Sequence, residues 1–112
     1  MSYNRIQWEM DLHHPDRNQI ELSAVLHALS DPQRLEIVRR VADSEAPCPC
    51  GSIELGVAKS TMTHHYRVLR ESGVIRQERR GTSKLTELRR EDLDARFPGL
   101  LHAVLSSRAV HV

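Results

Sequence analysis

Aromatic residues are scarce in this chain: one Trp, one Phe and two Tyr among 112 positions. That scarcity argues against a β-sandwich. The apolar 39%, carried mostly by Leu, Val, Ile and Ala, suits a small helix-rich core instead. No apolar run reaches the roughly 18 residues of a membrane span, and the N-terminus lacks the basic-then-apolar order of a secretory leader. A cytoplasmic protein is expected. Cysteine is nearly absent as well, and Cys48 and Cys50 stand too close together to staple a fold. In a reducing compartment such a pair rests as thiols. The length leaves room for one domain and excludes a second, catalytic one; a core so thin makes self-association expected. Net charge is low too, with 16 Lys and Arg against 15 Asp and Glu.

The charges that are present are unevenly spread. Between Lys59 and Arg90 there are nine bases and three acids, so this quarter of the chain is strongly positive and the remainder is negative. A local positive field of this kind points to a polyanionic partner. Residues 1–18 have no helical period and contain His13-His14-Pro15, so they read as an N-terminal arm, although Ile6, Trp8, Met10 and Leu12 alternate in the manner of an extended segment. Residues 19–108 form the expected domain. Ile20, Leu22, Val25, Leu26 and Leu29 recur at helical spacing and predict a first helix over 19–29. Asp31-Pro32 restarts the chain, with Asp31 suited to cap and Pro32 to the first helical position. A second helix to about Ala42 follows, with Leu35, Val38 and Val41 inward. Glu45 to Ser52 reads as a loop, and Ile53 and Leu55 as a short helix.

From Ala58 the sequence predicts a helix of about 59–72 that ends at Gly73, where a left-handed residue is wanted. At 100° per residue Met62, Tyr66 and Leu69 share a narrow apolar arc, while Ser60, Thr63, His64 and Arg67 share the opposite one. Short hydrogen-bonding and basic side chains on one outward face are what base edges and phosphates accept. Two runs near 74–79 and 84–88 flank Arg80-Gly81-Thr82-Ser83 and predict a hairpin. Glu91 then opens a helical stretch interrupted at Phe97-Pro98, and Phe97, Leu101, Val104 and Leu105 form an apolar stripe. The expected fold is mainly α with a small β-hairpin, a winged helix-turn-helix.

Three stretches together carry a specific likeness. Leu29-Ser-Asp-Pro-Gln-Arg-Leu-Glu-Ile-Val38, Leu55-Gly-Val-Ala-Lys-Ser-Thr-Met-Thr-His-His-Tyr-Arg-Val-Leu-Arg-Glu-Ser-Gly-Val-Ile75 and Arg79-Arg-Gly-Thr82 resemble the signature segments of ArsR/SmtB-type bacterial repressors. The resemblance spans about residues 25–88. It implies a DNA-binding transcriptional repressor whose recognition helix presents Lys59, Ser60, Thr61, Thr63, His64 and Arg67 to the major groove. It implies a wing, about 75–88, that brings Arg79, Arg80, Thr82 and Lys84 to phosphate or an adjacent minor groove. Size asks for a dimer: a domain of this length has a radius of gyration near ~13 Å, whereas successive major grooves lie ~34 Å apart on one face of DNA. The resemblance places the pairing surface on the first helix, at Val25, Leu26 and Leu29, and on the stripe Phe97, Leu101, Val104 and Leu105.

Other chemistry has its candidate residues too. Cys48-Pro49-Cys50 lies near where some members of that family carry a Cys-x-Cys metal pair, and with His13 or His14 it makes a metal-sensing repressor the alternative reading. Pro49 disfavours the helical geometry that would aim both thiols together. The pairs His13-His14 and His64-His65 lack the spacing and intervening acid of a helical zinc protease site, and His65 reads as a packed, hydrogen-bonded histidine. No nucleophile with a base, no paired carboxylates and no phosphate loop stand out, so the chain is not read as an enzyme and no cofactor is expected. A winged-helix module for an acidic protein partner is the remaining alternative.

Overall fold

The computed structural model describes residues 12–107. Ile6, Trp8 and Met10 of the arm lie outside them. Five helices and a three-stranded antiparallel sheet follow one another: α1 Leu22–Leu29, α2 Pro32–Asp43, β1 Cys48–Pro49, α3 Lys59–Glu71, β2 Ile75–Arg80, β3 Ser83–Leu88, α4 Arg90–Arg96 and α5 Leu100–Ser106. The sheet runs β1-β3-β2. This is the expected winged helix-turn-helix order, with additions. Among the described residues no helix is long and apolar enough to cross a membrane.

Local chemistry sets the helix ends. Asp31 caps α2 by accepting from the backbone N–H groups of Gln33 at 2.9 Å and Arg34 at 3.0 Å, and Pro32 opens the helix without a donor to waste. The helix buries Ile37, Val38 and Val41. Leu35, expected inside, is half-buried, at the edge of the arc that Ile37, Val41 and Val38 occupy. At the far end of α3 the N–H of Val74 bonds to the carbonyl of Leu69, and that of Gly73 to Arg70. This is the paired closure of a Schellman turn, and Gly73 supplies its left-handed residue at φ 92°. A Cβ there would stand 2.6 Å from Cγ1 of Ile20. The chain therefore needs glycine twice over, for the turn and for the closeness of Ile20 beneath it.

Three expectations require correction. No α-helix runs through Ile53 and Leu55; a 3-10 turn at Cys50–Ser52 leads into extended chain. Pro47 and Pro49 remove backbone donors just where a helix would nucleate, and Gly56 turns with positive φ before α3. The stretch read as loop also contributes β1, paired with β3 through Cys48↔Thr86 and Pro49↔Leu85. Pro49 is tolerated because β1 is an edge strand. The first helix also starts three residues late. Ile20 stays outside α1, buried under Gly73, and a 3-10 turn occupies Arg17–Gln19.

One core cluster joins α1, α2, α3, the hairpin and the C-terminal helices, with Val25, Ile37, Leu69, Ile75, Leu93 and Leu101 among its buried members. The end of the arm reaches the cleft between α3 and the hairpin, which Leu12 helps to line. Leu12 is buried, and the carbonyl of Pro15 accepts from Nη1 of Arg89 at 2.8 Å. Phe97 lies in the break between α4 and α5, with the Arg96 guanidinium 5.5 Å from its ring centre. Replacing Gly73 with Ala is expected to destabilise the protein by about 1–3 kcal/mol through left-handed strain alone, and by more if Ile20 cannot retreat. Urea denaturation measures it, and an unchanged midpoint would contradict the account of this turn.

Candidate nucleic-acid interface

Helix α3 turns its apolar arc inward and its polar face out. Tyr66 and Leu69 are buried, Met62 packs against the core, and Lys59, Ser60, Thr63, His64 and Arg67 are exposed. Thr61 is half-buried at the edge of that face. Two polar junctions fix how the helix is presented. On one flank Nε2 of His65 meets Oε1 of Gln33 at 2.8 Å, and Nη1 of Arg34 approaches Nδ1 at 3.4 Å. Arginine only donates, so Nδ1 accepts and the proton sits on Nε2, donating to Gln33. Burial holds the His65 pKa below the usual histidine value, and Arg34 and His64 push the same way against Asp31. On the other flank the Tyr66 hydroxyl donates to the carbonyl of Cys50 at 3.2 Å.

The hairpin presents a graded face to α3. Register pairs Ile75 with Leu88, Gln77 with Thr86 and Arg79 with Lys84. From root to tip the inward side chains pass from apolar to neutral polar to cationic. At the middle step Gln77 is nearly fully buried. Its Oε1 accepts from Nη1 of Arg70 at 2.7 Å, and its Nε2 donates to Sγ of Cys50 at 3.0 Å and to Oγ1 of Thr86 at 3.3 Å. Its backbone N–H donates to Nε2 of His14 at 3.0 Å, fastening the arm to the outer side of β2.

Between α3 and the hairpin lies an open cleft of about 800 Å³. Of the residues expected at the interface, Lys59, Thr63 and Arg67 from the helix and Arg79, Thr82 and Lys84 from the wing line this one cleft. Ser60, Thr61, His64 and Arg80 do not. Arg80 projects from the other face of β2, where it pairs with Glu78 at 3.0 Å. Lys84 has its pKa lowered, first by burial and then by Arg79 and Arg70. Arg70 is the lining cation that the residue-by-residue expectation omits. Helical arithmetic holds the signal, since Arg70 projects within about 20° of Thr63 at 100° per residue.

The two thiols have other neighbours than a ligand set. Among the described residues no three His, Cys, Asp or Glu side chains gather as a ligand set. Sγ of Cys50 lies against Oγ1 of Thr86 at 3.0 Å and takes the Gln77 amide, while the Nε2 atom of His14 is occupied by a backbone N–H. Burial raises the Cys48 pKa, which opposes the thiolate a metal needs.

Of the residues expected at a pairing surface, Val25, Leu29 and Leu101 are buried in the chain's own core and are not free to meet a partner. Leu26 is exposed, and Phe97, Val104 and Leu105 are half-buried.

A polar, basic helix face beside a cationic hairpin, on a core of this connectivity, defines a winged helix-turn-helix DNA-binding regulator, a class of transcription factors rather than enzymes. Comparison with known proteins identifies which branch. No protein-family model matches the chain. It is 33% identical over 75 residues to the arsenical resistance operon repressor of Staphylococcus xylosus, covering 66% of this chain and 71% of that one. It is 29% identical over 82 residues to the HTH-type transcriptional regulator YceK of Bacillus subtilis (strain 168), covering 71% of this chain and 82% of that one. The crystal structure of an ArsR family transcriptional regulator superposes with a TM-score of 0.60 at 22% identity, over 78% of this chain and 90% of that one. The chain belongs to the ArsR family of transcriptional regulators.

The arm's latch carries a pH dependence. Burial, with Arg70, Arg89 and Arg76 nearby, lowers the His14 pKa from 6.5 to about 4. A lowered pKa means the folded state favours neutral imidazole, so the latch contributes fully above pH 6.5 and is lost as pH falls through 4. Proton NMR titration is expected to put the His14 midpoint near 4; a midpoint at the free-histidine value would show the latch open.

Proposed function

We propose that two copies of the chain bind together to a two-fold-repeated operator in the cytoplasm and repress transcription by occluding a promoter. Each copy lays α3 in a major groove, which is wide enough for one helix, and rests its wing on the flanking backbone. The observation that carries this reading is the shared cleft, where the exposed face of α3 and the cationic tip of the hairpin converge on one side of the molecule. Thr63 and Arg67 meet base edges in this reading, which their exposure mid-helix supports. Arg79 and Lys84 meet phosphate, with Arg80 on the outside of the same strand.

The geometry of a single copy supports pairing. Its Cα radius of gyration is 14.3 Å and it carries one such helix, so it reads one groove. Helix α1 leaves Leu22 44% and Leu26 47% exposed. They lie one turn apart on a single face. Together with half-buried Phe97, Val104 and Leu105 they form the pairing surface, with Val25, Leu29 and Leu101 supporting it from inside.

Duplex binding measured across salt concentrations tests the division of labour. Arg79→Ala with Arg80→Ala is expected to weaken all duplexes alike and to flatten the log–log salt slope by about 1 for each phosphate no longer neutralised. Thr63→Ala or Arg67→Ala is expected to cost about 1–3 kcal/mol at particular base pairs and little elsewhere. Wild-type protein with no duplex affinity at low salt would support the protein-interaction reading instead. Leu26→Glu is expected to give a folded monomer by analytical ultracentrifugation with strongly reduced operator affinity; a variant that still sediments as a dimer removes α1 from the interface.

A further inference from the structure

The cleft between α3 and the hairpin gathers positive charge that its own walls leave unneutralised, and we propose that it seats a compact oxyanion of the phosphate class. Lys59, Arg67, Arg70, Arg79 and Lys84 line it, and among the described residues no carboxylate does. Arg70 is the decisive member. Its residue exposure is 8%, its side chain's single hydrogen bond among the described residues goes to the neutral amide oxygen of Gln77, and its Nε has no partner. Arg79 has a second buried Nε without a partner, and the sheet register sets Arg79 directly opposite Lys84.

Each of these features is unfavourable by itself. A buried donor with no acceptor costs the desolvation it gave up, more so on a charged group. Like charges directly opposite across an antiparallel ladder repel. A single bound anion removes these costs together, accepting from the guanidinium groups and neutralising the ammonium of Lys84. Guanidinium forks suit phosphate oxygens in particular. The direction of the Arg70 shift agrees: burial lowers its pKa first, and Arg67 and Arg79 lower it further, against Glu71 and Cys50, which raise it. At about 800 Å³ the space is much larger than one phosphate and falls within the roughly 300–1,000 Å³ of ligand clefts. It therefore has room for what the phosphate is attached to, whether the rest of a small phosphorylated compound or the backbone of a duplex.

Calorimetric titration of the full chain with pyrophosphate, at an ionic strength fixed with chloride, tests the seat. Wild-type protein is expected to bind saturably, and Arg70→Gln to bind about tenfold more weakly or worse. Arg40→Gln makes the same change of charge on α2, away from the cleft, and is expected to match the wild type. Should Arg70→Gln fail to fold by circular dichroism, Lys84→Glu on the cleft wall replaces it with the same expected loss. Absence of saturable binding to the wild type overturns the seat. So does equal weakening by the cleft and Arg40 variants, which would mean general attraction. Duplex titration of the same proteins separates the sources. A duplex affinity that falls in step with pyrophosphate assigns the seat to a backbone phosphate, and one unmoved by Arg70→Gln assigns it to a free phosphorylated compound. A wild type that takes pyrophosphate but no duplex keeps the seat and removes the operator reading, so the two proposals fail separately.

Discussion

The angle between α3 and the wing depends on a buried amide. Gln77 bonds to Arg70 of α3, to Cys50 of the turn after β1, to Thr86 of β3 and, through its backbone, to His14 of the arm. Four segments distant in sequence are thereby held at one point. Replacing the amide with an apolar side chain would strand the Arg70 guanidinium in a low-dielectric site and leave the Thr86 hydroxyl with the Cys50 thiol alone, which is why such networks specify one arrangement rather than several. The Schellman turn at Gly73 brings the strand into place, and Gln77 locks it there. The cleft that follows carries cations from both the helix and the hairpin, beside the apolar side chains of Leu12, Ile53 and Met62.

Much of this is legible in residue order. The caps at Asp31 and Gly73, the two faces of α3 and the two-residue tip Gly81-Thr82 are local features, and local chemistry decides them. The hairpin alternation looks poor because its inward positions run Ile75, Gln77, Arg79. A period-two scan expects apolar residues there, whereas this sheet buries an amide. Strand β1 is illegible for another reason. It has two residues, one of them proline, and exists only because β3 lies alongside. Arg70 has the right helical angle, yet nothing in sequence says that a hairpin will fold over it.

The apolar side chains of α1 and α5 show a second limit. A stripe at helical spacing reports that something covers it and is silent on whether the cover belongs to the same molecule. Val25 and Leu101 are covered from within; Leu22 and Leu26 are not. Residues one position apart on the same short helix thus serve opposite purposes, and only the packing of α2 and α3 beneath α1 tells them apart. His65 illustrates the converse. Its burial is expected from the sequence, but its partners Gln33 and Arg34 lie more than thirty residues away.

Both margins of the small sheet are blunted. On the β1 side the strand stops after two residues and ends on proline, which offers no N–H; on the β2 side an outward-pointing N–H, that of Gln77, is already taken by an imidazole. Unprotected margins invite strand-by-strand accretion, a hazard that grows wherever many copies crowd along one polymer. A protein that gathers at closely spaced sites can thus sit shoulder to shoulder with its neighbours without their wings knitting into a common ribbon.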